Sequence, residues 1–222
     1  MKAIFIPAIS VLLALPMPAQ TNILPVKEWN SSLQIPFVFY ITGDGGFNNF
    51  STSLCTAINK KGYSIAALSA KSYFWDKKTP GQTAKDITTY LDKQLQNRKN
   101  QEWVLTGYSF GADVIPFIVN SLADSIRKKL VSIVLLSPSE STDFEVHWLD
   151  IFGGNKKRSM DVLAELNKIG PIKTAAIFGS DENNSPFKNI KLKNYSNETL
   201  PGGHHFDDNT DEVARTMMKY FN

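Results

Sequence analysis

Apolar residues along this chain alternate between two patterns. Short unbroken runs appear at residues 35–41, in "YSIAALSA" (63–70), "EWVLTGYS" (102–109), "LVSIVLLSPS" (130–139) and "KTAAIFGSDE" (173–182). Each gives way to glycine or small polar residues, as expected of strands buried on both faces of a parallel sheet. Between the runs, apolar residues recur three or four apart. Phe50, Leu54, Cys55 and Ile58 do so within 50–61, and Ala84, Ile87, Tyr90, Leu91 and Leu95 within 82–97. That spacing predicts helices with one buried face, the first stopped by Gly62.

Further helices are predicted over 110–128 and over 207–221, the latter carrying Val213, Met217, Met218 and Phe221. A shorter sixth strand is predicted over "IKLKNYS" (190–196). Residues 140–170 lose regularity, with Trp148, Phe152, Gly153-Gly154 and a short helix over 160–166. The alternation predicts an α/β fold: a mostly parallel central sheet, flanking helices and a small irregular insert before the fifth strand. No repeat or linker divides residues 20–222, which read as one domain.

The first 19 residues depart from this picture. Lys2 precedes an apolar run broken by Pro7, then Pro16, Pro18 and Ala19. This is the layout of a secretory signal peptide, too short in its apolar part to span a bilayer comfortably, and it predicts export. The remaining composition is that of a globular domain, with 42% hydrophobic and 20% charged residues among 222. A net charge of +3 from scattered lysines does not argue for nucleic acid, although it is compatible with transient contact at an anionic membrane surface. Cys55 is alone, so no intramolecular disulfide forms, and its helical setting makes it a core residue. No Cys/His cluster has metal-ligand spacing, and no cofactor is implied.

The candidate chemistry begins in "VLTGYSFGADVIPF", where Gly107-Tyr108-Ser109-Phe110-Gly111 forms a G-x-S-x-G between a predicted strand and a predicted helix. This is where α/β-hydrolases carry a nucleophilic serine, in a turn so tight that its flanks must be small. Such a serine needs a histidine and a carboxylate, in the order serine, acid, histidine. Two of the three histidines, His204 and His205, follow the sixth strand in "LPGGHHFDD", and Asp181 and Glu182 leave the end of the fifth. His204 is preferred as the base, with His205 a hydrogen-bonded neighbour or part of the substrate pocket. Glu182 is preferred as the acid, with Asp181 the alternative. The Phe110 N–H, first of its helix, and an amide of "TGDGGF" at Asp44 or Gly45 are the expected oxyanion donors. Tyr73, Phe74 and Trp75 either wall an acyl pocket or belong to the core. His147, with Glu145, is outside the order a triad requires.

Taken together, "TGDGGF", "YFWDKKTPGQTAKD", "LTGYSFGADVIPF", "VHWLD" and "LPGGHHFD" resemble the bacterial virulence-protein family of VirJ and the VirJ-like half of AcvB. The resemblance runs from about Phe37 to the C-terminus. It implies a periplasmic α/β-hydrolase that cleaves aminoacyl esters of phosphatidylglycerol, such as lysyl-phosphatidylglycerol, with a link to virulence and secretion. Ser109, the His204-His205 pair and Asp181 or Glu182 match the family's serine, histidine and acid positions. Phe47 stands where a tryptophan is common and Thr42 where a serine is common; neither touches the triad. The rival expectation is a periplasmic adaptor on the same fold, acting through a secretion-system protein partner.

Overall fold

The computed structural model describes residues 24–146 and 158–222; residues 1–19, expected to be a signal peptide, and His147, Trp148, Phe152 and Gly153-Gly154 lie outside them. Seven strands form one sheet: β1 (Val26–Trp29), β2 (Phe37–Ile41), β3 (Ile65–Leu68), β4 (Trp103–Tyr108), β5 (Leu130–Leu136), β8 (Lys173–Gly179) and β9 (Tyr195–Leu200). Their order is β1-β3-β2-β4-β5-β8-β9, and every pairing but β1 with β3 is parallel. A second, two-stranded sheet pairs β6 (Ser141–Thr142) with β7 (Met160–Asp161) and so joins the two ends of the irregular insert.

Both faces of the main sheet are covered. Phe39, Ile41, Leu105 and Ile133 face one cluster together with α3 (Pro80–Leu95), α4 (Phe110–Ser121) and α6 (Val162–Leu166). Val38, Tyr40, Val104 and Val134 face the other, with α1 (Asn49–Asn59) and α7 (Thr210–Met218). Successive strand residues point to opposite faces, so two-sided burial is why these strands read as unbroken apolar runs. Each fully buried Leu, Ile or Phe adds about 1.5–3 kcal/mol of transfer free energy. Cys55 is buried on α1, as expected of a core residue.

Several elements depart from the sequence-based expectation, each for a local reason. β1 was not expected, because "VKEW" is four residues long and half polar; it is an edge strand set by its pairing, Val26 opposite Leu68. The helix expected over 110–128 is two, since Leu122 and Ala123 are extended and α5 (Asp124–Arg127) starts afresh. The Arg127 guanidinium donates to the carbonyl of Val119, at 2.5 Å, near the broken end. Thr79 extends α3 backwards to Pro80 through a capping box with Gln82. The sixth strand lies at 195–200 rather than 190–196: Ile190 and Leu192 supply the apolar signal by packing on the core, but the ladder to β8 runs from Tyr195 to Leu200. The closing helix starts at Thr210, behind an Asn209 cap, because Phe206, Asp207 and Asp208 occupy left-handed backbone. A short helix, α2 (Ala70–Tyr73), also follows β3.

Because the strands are parallel, the loops after β2, β3, β4, β5, β8 and β9 open on one edge of the sheet. That edge brings residues 42–48, 109, 137–139, 180–182 and 201–205 together. Among the described residues, no helix is long and apolar enough to cross a membrane.

Candidate active site

β4 ends at Tyr108 and α4 begins at Phe110, leaving Ser109 alone to turn the chain. It does so at φ 52° and ψ −122°, a region L-residues avoid. Such a backbone costs on the order of 1–3 kcal/mol and persists only where its surroundings fix it. Here the Ser109 N–H donates to Leu136 O at 2.9 Å, and its carbonyl accepts from the amides of Ala112 and Asp113 at 2.8 and 3.0 Å. The flanking glycines are sterically required. A Cβ on Gly107 would lie 2.6 Å from the Gly111 carbonyl, and one on Gly111 would lie 2.2 Å from Ile41 O.

Ser109 Oγ is 2.9 Å from His204 Nε2, and His204 Nδ1 is 2.7 Å from Glu182 Oε1. The second oxygen of Glu182 accepts from the Ser137 hydroxyl and from the Gly179 N–H, each at 2.7 Å. Burial works to raise the Glu182 carboxyl, but the hydrogen bonds from His204, Ser137 and Gly179 outweigh it and hold the group below the ordinary carboxylate range. An ionised carboxylate only accepts, so Nδ1 of His204 carries the proton toward Glu182. In the neutral ring, Nε2 is then left to accept from Ser109. The Glu182 side chain is 18% exposed and that of His204 43%, so the acid is sheltered while the imidazole faces the open edge.

Asp181 does not join this chain. Its carboxylate accepts from Ser180 Oγ at 3.0 Å and its amide donates to Gly202 O at 3.1 Å. The turn after β8, closed by Glu182 N–H to Gly179 O at 3.1 Å, directs Glu182 rather than its neighbour over the sheet edge. His205 likewise turns away from Ser109: its Nδ1 is 2.9 Å from Tyr108 Oη, which also donates to His204 O at 3.2 Å. Tyr108 therefore holds both histidines from directly beside the serine. Below them Phe206 is buried and stacks on Phe50 with centroids 6.1 Å apart, which fixes the base of the histidine loop.

The Phe110 N–H opens α4, where the helix dipole favours developing negative charge. Neither it nor the amides of Asp44 and Gly45 donates to an acceptor among the described residues. The 42–48 loop lies beside the serine, since a Cβ on Gly43 would be 3.5 Å from Ser109 Cβ. Buried Thr42 pins that loop, donating to Gly43 O and accepting from Ala70 N–H, both at 3.0 Å.

Of the two places expected for Tyr73, pocket wall or core, its burial fits the core. It is buried, with its hydroxyl donating to Asp86 at 2.6 Å, and Phe74 beside it is core, edge-on to Phe110 at 5.2 Å. Trp75 is 52% exposed. Ser137, Tyr108 and Asp113 were missed as members of this region. Ser137 closes an apolar strand, Tyr108 abuts the serine, and Asp113 is a carboxylate inside an apolar helix face; those were the available signals. Among the described residues no metal-binding cluster of His, Cys, Asp or Glu occurs.

A parallel sheet whose strand-end serine, acid and histidine meet in that chain order, with helices on both faces, defines the α/β-hydrolase fold. Solved structures agree. The chain is similar to a putative dienelactone hydrolase from Klebsiella pneumoniae (TM-score 0.63, 12% identity, covering 92% of this chain and 95% of that one). It is also similar to a lipase-esterase related protein from Clostridium acetobutylicum (TM-score 0.62, 15% identity, 88% and 99%). A third is the thioesterase domain from the curacin biosynthetic pathway (TM-score 0.58, 15% identity, 87% and 94%). No curated protein matches the sequence. The chain belongs to the bacterial virulence protein (VirJ) family, whose model matches residues 36–222.

Proposed function

We propose that this protein is an exported serine hydrolase of the esterase type, with Ser109 as nucleophile, His204 as general base and acid, and Glu182 as the carboxylate. The observation that carries this reading is the unbroken chain from Ser109 Oγ through His204 to Glu182, at 2.9 and 2.7 Å. Ser109 Oγ attacks the ester carbonyl carbon while its proton passes to His204 Nε2. The ionised Glu182 stabilises the resulting imidazolium. The carbonyl oxygen, now negative, takes the amides of Phe110 and of Asp44 or Gly45. Collapse breaks the bond to the leaving alkoxide, which receives the proton from His204. Water then repeats the sequence on the acyl-enzyme, releasing the acid and restoring Ser109.

The substrate class follows from the family resemblance: an aminoacyl ester of phosphatidylglycerol, such as lysyl-phosphatidylglycerol, reached in the periplasm by transient contact with the membrane. Asp44, in the loop beside Ser109, offers a carboxylate to a cationic acyl group. Asp44→Asn then lowers the preference for a lysyl over a neutral acyl ester by about two- to fivefold, as fits a partly exposed charge pair. An unchanged preference sinks the assignment of Asp44.

Labelling with a fluorophosphonate probe tests the reaction type. Wild-type protein takes up the probe, and Ser109→Ala and His204→Ala do not. A folded wild-type protein that stays unlabelled overturns the hydrolase reading and favours an adaptor that acts through a secretion-system partner.

A further inference from the structure

Asp113 lies one helical turn beyond Ser109 on α4, buried to 5% exposure, in a segment that is otherwise apolar. Its Oδ1 accepts the Ser139 N–H at 2.6 Å. Ser139 is two residues beyond Ser137, whose hydroxyl holds Glu182. Ser137 itself sits at φ 47°, with its amide fixed to Ile177 O at 2.8 Å. The connection closes on itself. Asp113 fixes the loop after β5, the loop fixes Glu182, Glu182 fixes His204, and His204 faces Ser109, whose carbonyl accepts the Asp113 amide at 3.0 Å.

We propose that Asp113 is a positioning residue of this site: its carboxylate ties the loop after β5 to α4, setting Ser137 against Glu182, and supplies a second negative charge in support of the imidazolium of His204. The proposal rests on the hydrolase reading above and deepens it. An uncharged residue would fill this place without the cost of burying a carboxylate, and among the described residues no lysine or arginine forms an ion pair with Asp113 to offset that cost. Burial lifts its carboxyl to about 7, against the opposing pull of the Ser139 hydrogen bond. The charged groups acting on it are His204, from the loop after β9, which lowers it, and Asp44, from the loop after β2, which raises it. The attraction is mutual: an ionised Asp113 carboxylate also attracts the positive charge that His204 carries once it has taken the proton of Ser109.

The test uses the mature protein and Asp113→Asn, which keeps an acceptor for the Ser139 amide and removes the charge. The rate of fluorophosphonate labelling is followed from about pH 5.5 to 9, and thermal melting in parallel. The expected result is a pair of opposite changes at alkaline pH: labelling about tenfold slower, as for losing roughly 1.4 kcal/mol of charge stabilisation, and a higher melting midpoint. A residue that merely holds the fold would lower both. The wild-type rate also shows an ionisation near pH 7 that the variant lacks. Wild-type protein that labels, beside a variant that labels at the same rate with the same pH profile, overturns this inference alone. Wild-type protein that does not label overturns the hydrolase reading and this inference with it. Should the variant not fold, the Ser139 amide resonance of wild-type protein decides: it follows the Asp113 ionisation if the clamp exists, and constancy across the same pH range overturns it.

Discussion

The Ser137 hydroxyl donates to Glu182 Oε2 at 2.7 Å, on the oxygen that His204 does not use. With the Gly179 amide on the same oxygen, the carboxylate cannot rotate without breaking two hydrogen bonds. Ser137→Ala removes one of them and leaves the backbone contact. The expected loss is about ten- to thirtyfold in the rate of Ser109 acylation, from about 1.5–2 kcal/mol for a hydrogen bond to a charged group. Pre-steady-state labelling measures it directly, and an unchanged rate would show that Gly179 alone orients the acid.

Glu182 and Asp181 are adjacent but face different partners, so their amide variants should separate cleanly. Glu182→Gln lowers turnover by on the order of a thousandfold, because an amide can present its NH2 to His204 and favour the wrong tautomer. Asp181→Asn leaves turnover within about twofold, since its carboxylate is exposed and, among the described residues, bonded only to Ser180. Ester hydrolysis by the two variants is the measurement, and equal losses would contradict the assignment.

Asp113 makes stability depend on pH in a definite direction. Its folded value, about 7, is above the ordinary 3.8, so the folded state holds its proton more tightly than the unfolded chain. That contribution is complete below pH about 4 and is lost as pH rises through about 7. Calorimetry at about pH 5 and about pH 8 should therefore show wild-type protein losing stability relative to Asp113→Asn, by about 2–4 kcal/mol at the higher pH. A difference that does not vary with pH would mean that the buried carboxylate does not titrate in this range.

Two glycines give opposite outcomes on alanine substitution. Gly111→Ala forces a Cβ to within 2.2 Å of Ile41 O, a backbone atom of a central strand, and is expected to destabilise by more than about 3 kcal/mol. Gly81→Ala, in the first turn of α3 with nothing within 4 Å of the added Cβ, is expected to stabilise by about 0.4–1 kcal/mol. Denaturant melts of the two variants compare them. A neutral Gly111→Ala would show that the turn at Ser109 can open.

The sequence by itself determined the repeating unit of the fold and the ends of its strands where chemistry is carried. Two-sided burial writes β2, β3, β4, β5 and β8 as continuous apolar runs, and one-sided burial writes α1 and α3 with a helical period, so both survive in a linear string. The glycines at 107 and 111 are dictated by clashes within a few residues, and they too are legible. Edge strands are not: β1 and β9 are held by backbone pairing, which leaves little mark on side-chain type. Only the tertiary structure chose Glu182 over Asp181, because the choice depends on a three-residue turn directing one side chain toward His204. It also placed Tyr108 beneath the histidines and joined Asp113, Ser139 and Ser137 to the acid. Those contacts join residues from 26 to 97 positions apart in the chain, apart from the short Ser137–Ser139 link. Spatial proximity of that kind is set by the register of β4 against β5 and β5 against β8, and no local pattern of residues encodes it.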